Sequence, residues 1–143
     1  MKTYLIPALG ALCIGAIGYA IWPEPSEPPE AAAPQRGAAM VTVTPPDRLS
    51  AQAELGKRGF DAVCAACHGE NAAGKMGFGP PLVHEIYEPS HHGDMAFLVA
   101  AQQGVRAHHW TFGNMPPQPG VTQGEMKTII AYIRELQRAN GIN

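Results

Sequence analysis

The chain has 143 residues, with 10 lysines and arginines against 12 aspartates and glutamates, for a net charge of −2. That length holds one modest domain plus appendages. Charge this sparse and balanced excludes nucleic acid as a partner, because such a partner needs a concentrated basic stripe.

Leu5 to Trp22 is uncharged and almost wholly apolar, and Lys2 precedes it. At about 18 residues the run sits at the short end of what crosses a bilayer. Lys2 fits the cytoplasmic side, and Tyr19 and Trp22 suit the far interface. Residues 1–22 are therefore expected to form a transmembrane helix. A cleaved signal peptide is the alternative, since Gly18-Tyr19-Ala20 offers small residues at a cleavage spacing, but the apolar run is long for one. Leu12 before Cys13 argues against a lipid-modified cysteine.

Residues 23–46 are rich in Pro, Ala and Glu and have no apolar periodicity, so they read as a linker. In polyproline form, at about 3.1 Å per residue, such a leash reaches roughly 70 Å. Within it, Met40-Val41-Thr42-Val43-Thr44 is expected to be ordered only by contact. A domain held this way stays close to partners in the same membrane.

The folded part is expected over residues 47–143. Leu49, Ala53, Gly56, Phe60 and Val63 recur on one helical stripe, with Asp47 as a credible N-cap. This helix runs into Cys64-Ala65-Ala66-Cys67-His68, a C-x-x-C-H motif. That spacing suits covalent attachment of a c-type haem. Two thiols three residues apart can add to vinyl groups on adjacent pyrroles, and the histidine is then carried under the ring to the iron. A redox-active dithiol would want a strand before the motif and a helix after it. A four-thiolate zinc site is excluded, since Cys13 is the one other cysteine. Counting alone leaves a mixed Cys/His zinc site open. Haem attachment takes place outside the bacterial inner membrane, which agrees with an N-terminal export or anchor segment.

Gly69 to Pro81 reads as loop. A middle helix is expected from Asp94, as cap, to Gly104, as terminator. A second loop carries Trp110 and the Pro116-Pro117-Gln118-Pro119-Gly120 stretch. The last helix opens on Thr122-Gln123-Gly124-Glu125, which has capping-box spacing. Met126, Ile129, Ile130, Ile133 and Leu136 form its apolar face, and Gly141 ends it. No alternating pattern predicts a strand, so the fold class is all-α, with three or more helices around a haem. A core of this size is marginal alone, and a haem would supply an apolar disc for the helices to close on.

Haem iron takes two axial ligands, and His68 supplies one by position. Methionine as the second raises the potential, whereas a second histidine does not. Met1 and Met40 are expected outside the domain, Met126 on a packing face, Met95 in a helix turn and Met76 on too short a tether. Met115 lies in Gly113-Asn114-Met115-Pro116-Pro117, which the prolines hold extended. Were Met115 ordinary core filler, the iron would be open or bound by histidine. The other ring nitrogen of His68 needs an acceptor, for which Gly79-Pro80-Pro81-Leu82 is the nearest candidate. His84, His91, His92, His108 and His109 remain, four of them as adjacent pairs. They are expected to cap helices, bond haem carboxylates or face water. The second reading is a metal site from His91, His92, His108 and His109, since imidazole clusters suit copper or zinc.

Taken together, Gly56-x-x-x-Phe60-x-x-x-Cys64, Cys64-x-x-Cys67-His68, Gly79-Pro80-x-Leu82, Gly113-x-Met115-Pro116 and Ile129-Ile130-Ala131-Tyr132-Ile133 resemble class I cytochrome c from Asp47 to the C-terminus. The resemblance implies an all-α domain with one covalent haem c, Cys64 and Cys67 as attachment points, and His68 and Met115 as axial ligands. It also implies Pro80 as acceptor for His68, and one-electron transfer without substrate chemistry. The expected partners are membrane or periplasmic redox proteins, plausible among them a terminal oxidase. The expected location is the bacterial inner membrane with the domain on the periplasmic side, or the periplasm if the N-terminus is cleaved. The basic docking rim of many family members is not evident here, since lysine and arginine are few and scattered. Two rival functions remain: a peroxidase-like enzyme, if Met115 does not ligate, and a copper-handling protein with a histidine site.

Overall fold

Helix α1 (Ala51–Gly59) starts where a hydroxyl can close its first turn. Ser50 is extended, and its Oγ accepts from Ala53 N at 3.2 Å. Ser50 N and Oγ also donate to the Glu135 carboxylate, at 3.0 and 2.6 Å. The cap is therefore Ser50 and not Asp47. A tertiary contact that propensity does not encode fixes the helix start three residues later than expected.

The computed structural model describes residues 35–143. The expected transmembrane helix and residues 23–34 of the expected linker lie outside the described residues. Among the described residues, no helix is long and apolar enough to cross a membrane.

After Gly59 the helix widens into a π turn, Phe60–Cys64, with Ala65 N donating to Phe60 O. It then resumes as α2 (Ala65–His68). The wider turn changes which residues face inward. Phe60 is buried, but Val63, next on the expected stripe, is 41% exposed. Cys64 and Ala65 pack on the core in its place. A stripe read at 3.6 residues per turn cannot anticipate an inserted residue.

Helix α3 (Asp94–Gln103) is capped by Gly93, so Asp94 lies inside the first turn, and Gly104 ends the helix at φ 76°. Helix α4 (Gln123–Ala139) has the expected capping box: Thr122 Oγ1 accepts from Glu125 N, and the Glu125 carboxylate accepts from Thr122 N. Its expected apolar face is buried throughout. Tyr132, Arg134 and Gln137 are buried as well, so more of α4 is enclosed than the apolar stripe implied. Among the described residues the extended pairings are two isolated bridges, Lys75 with Gly79 and Val105 with Met115. The described domain is all-α.

The crossing of α1 on α4 forms the core. A Cβ built on Gly56 would lie 1.9 Å from Thr128 O. Glycine is thus what lets the two backbones touch. Phe60 and Tyr132 pack edge to face beside the crossing, with centroids 5.6 Å apart. The Tyr132 hydroxyl donates to Asn71 Oδ1 at 3.0 Å, tying the post-motif loop to α4.

Residues 35–46, expected as linker, lie against this domain. Met40 N and Val41 N both donate to Ala73 O at 3.1 Å, and Gly37 N and Met76 N pair with Met76 O and Ala38 O at 2.8 Å. Thr44 N donates to Asn140 Oδ1, and Asn140 Nδ2 donates back to Thr44 O, at 2.9 and 2.8 Å. Met40 sits beside Gly74 within the domain, not outside it. Apart from the two made by the Asn140 side chain, these are backbone bonds, which composition does not reveal.

Gly56→Ala should separate α1 from α4 and destabilise the domain by about 3 kcal/mol, the upper range for overpacking. Urea unfolding midpoints of the two proteins check this.

Candidate functional site

The end of α2 delivers His68 into the interior. Its ring is buried, and Nδ1 lies 2.9 Å from Pro80 O. A carbonyl can only accept, so Nδ1 carries the proton and Nε2 keeps its lone pair. Burial pushes the His68 imidazole below its usual range and so favours the neutral ring, while the Pro80 bond partly opposes that shift. A neutral, oriented imidazole is the form that binds a metal.

Pro80 reaches this position because the glycine loop turns back under α2. Gly69, at φ 73°, starts the turn, and Gly74 N donates to His68 O at 2.7 Å. Lys75 N then donates to Gly79 O at 2.9 Å. A Cβ on Gly79 would lie 2.8 Å from Cys67 O, so only glycine lets the loop approach the motif so closely.

His68 and Pro80 line a cavity of about 490 Å³. This volume falls within the usual range of cofactor and ligand sites, roughly 300–1,000 Å³. Leu82, Phe97, Ile133, Met115 and Met126 also line it. Of the two methionines, Met126 belongs to the buried face of α4, whereas Met115 is on a loop. Met115 exchanges two 2.9 Å backbone bonds with Val105. A Cβ on Gly104 would lie 2.5 Å from Met115 O, so the end of α3 fixes where Met115 stands.

Trp110 closes another part of the wall, stacked on Phe112 with centroids 6.0 Å apart. Its Nε1 is buried without a hydrogen-bond partner. Burial pushes the Tyr87 phenol up and the nearby indole N–H pulls it partly back, but that approach lacks hydrogen-bond geometry and the N–H stays unpaired. A buried donor left so costs about 1–3 kcal/mol. It marks where a polar atom of a bound group would be accepted.

Cys64 is half-buried and Cys67 exposed. Burial pushes the Cys64 thiol up to about 11, with Cys67 adding to the rise. Redox-active dithiols work by the opposite shift, a depressed value that yields thiolate. The pair therefore does not have the electrostatics of a disulfide exchange site.

The extra histidines do meet. His91, His92 and His109 bring ring nitrogens within 4.8 Å of one another. His108 lies beside them, its ring 4.3 Å from that of His109, and is outside the three-nitrogen set. His84 does something else, with Nδ1 accepting from Ile86 N to cap a short 3-10 turn.

Sequence reasoning missed Arg134. It is 6% exposed and donates to Asp94 Oδ1 at 2.8 Å, Tyr87 O at 2.7 Å, Gln137 Oε1 at 2.6 Å and His92 O. Gln137 Nε2 adds bonds to Leu82 O and Tyr87 O, at 2.8 and 3.0 Å. Gln137 falls four residues after Ile133 and Arg134 four after Ile130, on and beside the apolar stripe, so the spacing carried a signal that their polarity masked.

Residues 53–137 match the family model described as cytochrome c. The cbb3-type cytochrome c oxidase subunit CcoP of Azospirillum brasilense is 37% identical over 93 residues, which are 61% of this chain and 29% of that protein. The chain thus spans less than a third of the length of this curated relative.

In the chain prepared without cofactor, iodoacetamide at pH 8 should label Cys67 at least tenfold faster than Cys64. A thiol near 11 is ionised there to about one part in a thousand. Peptide mass mapping over time reads the two rates.

Proposed function

Because the chain belongs to the cytochrome c family, we propose that it holds one covalent haem c and carries single electrons between membrane or periplasmic redox proteins. One observation supports this above others. The histidine that ends the C-x-x-C-H motif is buried on a cavity wall shared with Met115, with one ring nitrogen held by Pro80.

The residues present fit such a group. The cavity has mainly apolar walls with Arg106 and histidines among its lining, and among the described residues one buried unpaired donor, Trp110 Nε1; a haem has an apolar face and carboxylates at its edge. When bound, haem supplies an iron that moves between ferrous and ferric states.

The chain's own residues do the rest. Cys64 and Cys67 fasten the group through two thioethers. His68 would hold the iron through its Nε2 lone pair, with the Pro80 carbonyl fixing the ring and raising its basicity. Met115 offers a thioether from a segment pinned to Val105. A methionine and histidine pair raises the potential above that of two histidines. With His68 and Met115 both holding the iron, no open side would be left for a substrate, which favours electron transfer over catalysis. Leu82, Phe97 and Ile133 keep water from the ring faces.

Similarity to an oxidase subunit supports a terminal oxidase as the electron acceptor. The apolar run Leu5–Trp22 supports a single-pass anchor in the bacterial inner membrane, with the haem domain on the periplasmic side.

Acid–acetone extraction followed by intact mass should leave one porphyrin mass on the native chain and none on the C64S/C67S variant. An unmodified native mass would sink the proposal. A further measurement assigns the second ligand. Met115→Ala should abolish the ferric iron–thioether charge-transfer band and lower the midpoint potential, while Met126→Leu should keep the band. The reverse pattern would move the ligand to α4.

A further inference from the structure

The haem proposal leaves one chemical cluster unused. His91 and His92 end the turn before α3, and His109 lies in the loop after it. Their rings gather at centroid distances of 4.6 Å (His91 with His92), 5.4 Å (His91 with His109) and 5.3 Å (His92 with His109). Neighbours in sequence seldom serve one ion together. Here the turn brings a nitrogen from both into the same space, within 4.8 Å of one from His109.

Second-layer contacts prepare the group. His92 Nδ1 lies 2.6 Å from Ile86 O, so it donates, and Nε2 is left with the lone pair. Metal-binding histidines are oriented by this kind of bond. The backbone is held as well. His91 N and His92 N donate to Glu88 O at 3.1 and 2.8 Å, and buried Arg134 grips His92 O. One ring nitrogen from each of three histidines thus stands in one space, where a cation can draw a lone pair from each.

The donor set narrows the ion. Three imidazoles with no carboxylate suit neither calcium nor magnesium, which take oxygen. Imidazole suits copper and zinc, and copper(II) heads the divalent affinity order. Imidazole nitrogens at about 2.0–2.1 Å from one ion stand roughly 2.8–3.3 Å apart, in square-planar or tetrahedral order. Rotation of the exposed His91 and His109 side chains closes the remaining gap.

We propose that His91, His92 and His109 form a three-imidazole site for a divalent transition-metal ion, copper(II) in preference to zinc(II). The ion completes its shell with solvent. The site stands on the rim of the cavity that His68 lines, because His92 and His109 are part of that wall.

The purified full-length chain, with whatever iron it carries, is dialysed against CuSO4 or ZnCl2, and copper, zinc and iron are counted separately. One copper per chain is expected, with weaker zinc binding, whether or not iron is present. The count therefore fails or succeeds independently of the haem proposal. The H91A/H109A variant should lose about 100-fold in copper affinity, and His84→Gln should lose none. X-ray absorption of the copper-loaded native chain should find three imidazole nitrogens at about 2.0 Å. This measurement decides the matter if the double variant misfolds. No copper uptake, which is the outcome if these histidines serve only haem carboxylates, overturns the site. Unchanged affinity in a folded H91A/H109A variant or fewer than three imidazoles also overturns it, as does zinc binding tighter than copper.

Discussion

At Gly56 the backbone of α1 touches that of α4, where a methyl group would stand 1.9 Å from Thr128 O. That contact fixes the line along which α1 approaches the core. The π turn at Phe60–Cys64 then adds one residue to the helical repeat. An extra residue rotates everything after it by about 100°. The consequence is local and specific: Val63 turns out to solvent, Cys64 turns in, and His68 arrives against Pro80 O. A π turn at a functional motif is a common association, and here its steric effect can be traced residue by residue.

Helix α4 has two duties that its apolar stripe does not separate. Ile129, Tyr132 and Ile133 fill the crossing. Arg134 and Gln137, one turn further on, bond the carbonyls of Leu82, Tyr87 and His92. Loop carbonyls buried without partners would cost free energy, and these two side chains satisfy them. Arg134 keeps its charge inside because Asp94, itself 69% exposed, meets it at the surface. Breaking such a pair from one side leaves a stranded charge, a larger loss than the pair's own net worth. The wall that carries Leu82, Tyr87 and His92 is thereby joined to the same helix that meets α1.

Much of this was legible because some local chemistry has only one reading. The Thr122–Glu125 box, the glycine that ends α3, and the apolar face of α4 follow from spacing, and the structure has them where expected. Gly79-Pro80 beside His68 is likewise a short-range consequence of a glycine loop. The misses share a cause. Ser50 displaced Asp47 because Glu135 lies 85 residues away in sequence and adjacent in space. Residues 35–46 looked like linker because most of their attachments are backbone bonds to Ala73 and Met76, which carry no residue-type signature, joined by the Asn140 side chain from far along the chain, although contact ordering of Met40–Thr44 was expected. The inward turn of Arg134 and the convergence of the histidine pairs also required knowing which loops meet. Local propensity is written in the chain, whereas partners across the fold are not.

The attachment of residues 35–44 bears on how far the domain can roam. Thr44 is fastened to Asn140, and Met40 and Val41 to Ala73. Under the proposed membrane anchorage, the linker expected over residues 23–46 is thereby shortened to residues 23–34. In polyproline form, at about 3.1 Å per residue, a segment of that length bridges roughly 37 Å, near half the span of the whole Pro-rich segment. Effective concentration climbs as about the three-halves power of a shrinking tether. Such a carrier would be a short-range commuter, exchanging electrons with immediate neighbours in the bilayer and missing those a few protein diameters away.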